Sequence, residues 1–232
     1  MEKEFNIDVP LHLRGIKLSQ YQQWIKIMNK YEENGIDDEK YLKAKMLQVF
    51  CALPIEDTHK IPLHSFDGVV QHLGELFKTD TPLQVRFSME DPKGEKLELG
   101  MIPELAEMTF GEYVDLDTYI NDWDNMHKAM AVLFRQVVID YKGAYEIAEY
   151  EGTGKLASLM LDMPLDIVFG AINFMKRLAT VLVKASLHSS EKEMTKALQQ
   201  AYKLTSEEST DGTQQFTVWL MEKQLESMKQ RS

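Results

Sequence analysis

The stretch Met108-Thr-Phe-Gly-Glu-Tyr-Val-Asp-Leu-Asp-Thr-Tyr-Ile-Asn-Asp-Trp-Asp-Asn-Met-His-Lys-Ala-Met-Ala-Val-Leu-Phe-Arg135 constrains the fold more than any other part of the chain. Tyr113, Leu116, Ile120, Trp123, His127, Met130 and Phe134 recur in steps of three and four, which puts these side chains on one face of a helix. Asp115, Asp117, Asp122 and Asp124 form its acidic outer side. The pattern predicts one long amphipathic helix whose aromatic row anchors a core. Nothing in these residues declares a reaction.

The remaining periodicity places this helix in an α+β fold, predominantly α-helical with two small β-hairpins. Phe5 to Val9 alternates and predicts a short strand. Helices are expected from Ser19, with Gln22 completing a capping box, from Asp37 or Asp38 through Ala52, and from Phe66 to Phe77 with Ser65 as cap. Residues 55–63 read as loop. Around Asp91-Pro92-Lys93-Gly94, which is strong turn chemistry, the period drops to two, so 83–101 predicts a hairpin. A second is expected over 137–150. Further helices are expected at Leu156 to Leu161, from Pro164 onward and over Glu191 to Leu204. Residues 1–204 thus form a main helical domain. Residues 205–214, rich in Ser, Thr and Glu, read as a linker, and 215–232 as a C-terminal amphipathic helix.

Composition narrows the function classes. The formal net charge of −11 argues against direct nucleic-acid binding, which needs a basic footprint. Cys51 is the single cysteine, so an intrachain disulfide and a Cys-based zinc site are excluded. The N-terminus lacks the apolar core of a signal peptide. The most apolar segment, 164–183, is interrupted by Asp166, Lys176 and Arg177, whereas a membrane span needs about 20 mostly apolar residues. It reads as a buried helix, and no membrane partner is expected.

Candidate sites divide into ordinary and functional readings. Glu56 with His59, and Asp124 with His127, have the i, i+3 spacing of di-iron bundles, but the first pair falls in an expected loop after Pro54 and the second uses Asp, so the required context is missing. His127 reads as a core or rim histidine, and no metal or cofactor is expected. Asp115, Asp117, Asp122 and Asp124 lack the glycine and twelfth-position glutamate of a calcium loop. They read as a solvated face, with a basic partner as the alternative. Glu151-Gly-Thr-Gly-Lys155 lacks Walker spacing and reads as a turn. Cys51 has no basic neighbour to form its thiolate. No nucleophile motif is present, and the chain reads as a non-enzyme. Phe216, Trp219, Leu220, Met221, Leu225 and Met228 on the last helix are candidate partner-binding residues, since aromatic and methionine anchors are enriched at interfaces. The competing reading folds that helix back onto the core.

Gly100-Met-Ile-Pro-Glu-Leu-Ala-Glu-Met-Thr-Phe-Gly-Glu-Tyr-Val-Asp-Leu-Asp117 and Asp122-Trp-Asp-Asn-Met-His-Lys-Ala-Met-Ala-Val-Leu-Phe-Arg135 resemble tailed-bacteriophage structural and assembly proteins, tail assembly chaperones in particular. Lys45 to Cys51, Ile61-Pro62-Leu63, Tyr145 to Gly152 and Asp162 to Asp166 support the resemblance. Where such proteins often follow the arginine with Pro-Ile, this chain has Gln136-Val137. The resemblance implies a non-enzymatic assembly factor in the host cytoplasm that binds the tape-measure protein or another tail or neck component, with homo-oligomerisation open. A minor virion protein of the neck, tail or capsid interior is the alternative. A host-directed phage protein or an enzyme is the reading from another class. The resemblance brings no catalytic residues.

Overall fold

The computed structural model describes residues 7–35, 38–103, 105, 108–141 and 144–187. The expected helix over 191–204, the linker and the C-terminal helix with Phe216, Trp219, Leu220, Met221, Leu225 and Met228 lie outside the described residues. The described chain is a helix-dominated α+β fold with one four-stranded antiparallel sheet.

Helices α1 (Leu18–Glu33), α2 (Glu39–Phe50), α3 (Ile55–Thr58) and α4 (Leu63–Leu76) come first. Gln20, not Gln22, reaches back to cap α1, accepting from the Lys17 N–H at 2.9 Å. Gln22 is buried instead and serves a tertiary role. Asp38 caps α2 by accepting from the Tyr41 N–H at 3.0 Å. The segment expected as loop contains α3, closed by Thr58 donating to the Ile55 carbonyl at 2.6 Å. Helix α4 starts right after Pro62, which is its N-cap, and so before Ser65. Residues 7–9 are not a strand: Ile7 and Val9 pack against the core from irregular backbone.

Strands β1 (Arg86–Glu90) and β2 (Lys96–Met101) form the first expected hairpin. The long helix expected over 108–135 is broken. It comprises α5 (Phe110–Tyr119), a 3-10 turn (Trp123–Asn125), α6 (Met126–Leu133) and the first residues of strand β3 (Phe134–Tyr141). The Asp122 carboxylate causes the first break: it accepts from the Asp124 N–H at 2.9 Å and from Asn125 Nδ2 at 2.6 Å, a local pairing that competes with helical hydrogen bonds. The second break follows the β-favouring run Phe134-Arg-Gln-Val-Val-Ile-Asp-Tyr141. Strand β4 (Ala144–Ile147) returns antiparallel to β3.

The two hairpins are one sheet. Leu99, Gly100 and Met101 pair with Gln136, Arg135 and Phe134, giving the order β1-β2-β3-β4. Alternation puts Phe87, Leu99, Met101 and Phe134 on the core face, and Arg86, Glu98, Gly100 and Arg135 on the other. Helix α6 is the centre of the helical layer: Met126 and Ala129 to Leu133 are all buried. It packs against α5, α1, β3 and α7 (Gly154–Met160). Helix α8 (Leu165–Leu187) follows Pro164 as expected. The chain start is tied to the α7–α8 junction: Leu18 N–H donates to Met163 at 2.9 Å and Leu165 N–H to Ile16 at 2.9 Å. Among the described residues no helix is long and apolar enough to cross a membrane.

Candidate functional site

The outer face of the sheet, the N-terminal end of α5 and the chain following β4 enclose an open cleft of about 740 Å³. One wall is six successive residues, Tyr145 to Tyr150. The other is Met108, Thr109 and Glu112, with Ile102, Pro103 and Arg135 completing the lining.

Local sequence sets the α5 wall. Thr109 and Glu112 form a reciprocal capping box: Glu112 Oε2 accepts from the Thr109 N–H at 2.6 Å and from its hydroxyl at 2.7 Å, and Thr109 Oγ1 accepts from the Glu112 N–H at 3.3 Å. This cap fixes the carboxylate so that Oε1 meets Arg135 Nη1. Arg135 is directed out of the core by its place in β3, opposite Gly100. Both partners of this ion pair are buried. Burial pushes the Glu112 carboxyl upward, but the hydrogen bonds from Thr109 and Arg135 outweigh it and hold its pKa below the ordinary carboxylate value. The Arg135 guanidinium also lies 5.5 Å from the Tyr150 ring centroid, a cation–π contact. Its Nε N–H, buried as well, has no hydrogen-bond partner.

Two tyrosines frame the pair. The Tyr150 hydroxyl donates to Asp115, and burial followed by that carboxylate pushes its pKa up. The Tyr145 hydroxyl donates to the Met101 carbonyl at 2.7 Å, and burial pushes its phenol up to about 12. Arg86 stacks on the Tyr145 ring at 5.1 Å while pairing with Glu98 at 2.6 Å and Asp140 at 2.8 Å. Glu112 is therefore held ionised and both phenols neutral near pH 7. Groups fixed in one protonation state suit recognition better than proton transfer, which needs a pKa near the working pH.

The four aspartates of the expected acidic face have different surroundings. Asp115 is half-buried beneath Tyr150 and Asp117 is exposed. Asp122 caps the 3-10 turn, and Asp124 lies 3.6 Å from Lys26. His127 is held by Gln22, whose Nε2 is 3.1 Å from Nδ1 and also donates to the Trp123 carbonyl at 2.6 Å. Among the described residues no group of three or more His, Cys, Asp or Glu side chains could hold a metal ion. Cys51 is buried, and desolvation raises its thiol to about 11. The turn at 151–155 is occupied by its own Lys155–Glu151 ion pair.

Sequence reasoning did not single out Glu112, Arg135, Tyr145 or Tyr150 as site residues. The available signal was the Thr109-x-x-Glu112 capping box. The convergence of Arg135 and the tyrosines depends on β2–β3 pairing, which local periodicity does not encode.

No protein-family model matches the chain, and neither the curated proteins nor the solved structures include a significant match to it.

Proposed function

We propose that this chain is a non-enzymatic bacteriophage assembly protein, a tail assembly chaperone that binds the tape-measure protein or another tail component. One observation carries the reading. The segments that resemble phage assembly proteins, 100–117, 122–135 and 145–152, supply Thr109, Glu112, Arg135, Tyr145 and Tyr150, and these converge on one cleft. Its ionisable groups suit recognition of a partner, and the chain's acidity, −11 overall, suits a basic one. A chaperone co-purifies with the tape-measure protein from infected cells and is missing from purified mature virions. Mass spectrometry of both fractions tests this. A fixed copy number in virions would instead make the chain a minor structural protein of the neck, tail or capsid interior. Recovery of host proteins alone would overturn both readings.

A further inference from the structure

We propose that the distal parts of β3 and β4, Val138–Tyr141 and Ala144–Glu146, form a flap that opens from the sheet as a unit, hinged at the pair Val137–Ile147 and latched by Arg86. The inference stands apart from the assembly reading and concerns the wall of the cleft.

Strand β3 belongs to the sheet over only part of its length. Its pairing with β2 ends at Gln136, opposite Leu99, and beyond that point it pairs with β4 alone. The β3–β4 ladder is irregular between Val137 and Ile139, and a bulge of this kind bends a strand. Here the bend is large. Arg86 lies opposite Gly100, and Gly100 opposite Arg135. In a flat sheet Asp140 would lie about 17 Å further along β3, at roughly 3.3 Å per residue, beyond the reach of Arg86. Instead, Arg86 Nη2 meets Asp140 Oδ2 at 2.8 Å. The hairpin is folded back across the outer face of β1 and β2.

Its hold on that face is narrow. Asp140 and Tyr145 are cross-strand partners, and Arg86 grips both, through the ion pair and through the Tyr145 ring centroid 5.1 Å away. The Tyr145 hydroxyl adds its bond to the Met101 carbonyl at 2.7 Å. Ile139 and Tyr141, which alternate with Asp140, point to the other side, where they and Val138 are exposed. Among the described residues, then, the flap is packed on one side only. A two-stranded hairpin is marginal by itself. The Asp140 side chain is 54% exposed, and ion pairs in contact with solvent are weak. The base is fixed differently. Ile147 packs against the core, the Ala148 N–H donates to the Gln136 carbonyl at 2.8 Å, and the Tyr150 hydroxyl donates to Asp115. Opening therefore withdraws Tyr145 and Glu146 from the cleft lining while Ile147 to Tyr150 stay in place.

Amide hydrogen exchange of the full chain, read residue by residue by NMR, tests the flap. The β3–β4 ladder amides at 139–141 and 144–146 are expected to exchange faster than those of α6. Arg86→Gln is expected to speed exchange at these residues about fivefold or more and to leave α6 unchanged. Tyr145→Phe, which keeps the ring and removes only the hydroxyl bond, is expected to act on the same residues. Lys17→Gln, which removes the exposed ion pair with Asp162 elsewhere, is expected to leave them unchanged. Exchange at 139–141 and 144–146 no faster than in α6 overturns separate opening. Acceleration of α6 and the flap by the same factor in Arg86→Gln, or of neither, overturns the latch.

Discussion

The ring of Tyr145 packs against Gly100, two strands away, and its hydroxyl donates to the Met101 carbonyl at 2.7 Å. A methyl group at position 100 would overlap the ring and approach Val137 Cγ2 to 3.1 Å. Gly100 is thus required for space, with no demand for unusual backbone angles. Gly100→Ala is expected to cost about 1–3 kcal/mol, the usual range for overpacking. Combining it with Tyr145→Ala should be less than additive, because the second change removes the clash. Urea denaturation of the single and double variants measures both.

Removing one member of the Glu112–Arg135 pair leaves a buried charge alone. Arg135→Ala or Glu112→Ala is expected to cost about 3–5 kcal/mol, whereas replacing both with apolar residues of similar volume should cost less than either. Chemical denaturation of the three variants gives the comparison.

The same pair has an acid signature. The folded-state pKa of Glu112 lies below its ordinary value of 4.5. The ionised form therefore stabilises the fold above that pH, and the contribution is lost as pH falls below about 4.5 through the folded-state value. Denaturation midpoints between pH 6 and pH 3 should fall, and Glu112→Gln should flatten that fall. A variant with an unchanged slope would show that other carboxylates dominate acid unfolding.

His127 acts in a higher window. Burial, reinforced by Lys128 and Lys26, holds its pKa below the ordinary 6.5. The fold thus prefers the neutral ring, which accepts from Gln22 at Nδ1. Its contribution is complete above pH 6.5 and declines as pH falls below that value. His127→Gln keeps an acceptor and has no titration, so its stability should not vary with pH over this range on account of position 127. Thermal melts at pH 7.5 and 5.5 distinguish the two chains.

Trp123 sits in an aromatic group, with ring centroids 4.9 Å from Tyr21 and 6.2 Å from Phe169. It is half-buried, so Trp123→Ala should cost about 2–3 kcal/mol, below the roughly 3–5 kcal/mol of a fully buried ring. Fluorescence-monitored unfolding of the variant, using the remaining tryptophans, measures it.

What the sequence made legible was local. The period-two alternation about Asp91-Pro92-Lys93-Gly94 marks β1 and β2, and Pro164 marks the entry to α8. The three-and-four spacing from Tyr113 to Phe134 did select residues that pack together, since Leu116, Met130 and Phe134 are buried and Trp123 packs against the core. It mistook the means. Those residues come from two helices, a turn and a strand, and Tyr113 at the start of the row is 57% exposed. A helical period counts residues along one element, whereas the Asp122 side chain redirects the backbone at a point where the apolar spacing happens to continue. The cleft was less legible still. Glu112 and Arg135 are 23 residues apart, and their meeting depends on where β3 docks.

The passage from α6 into β3 has no connecting residue: Leu133 ends the helix and Phe134 begins the strand. The Leu133 carbonyl at that junction accepts from the Ile102 N–H at 2.8 Å. Arg135, in the lining of the cleft, is therefore two residues from the end of a helix with Met126 and Ala129 to Leu133 buried, with no loop between them. Substitutions that shift α6 therefore also shift Arg135 and the ion pair it makes with Glu112.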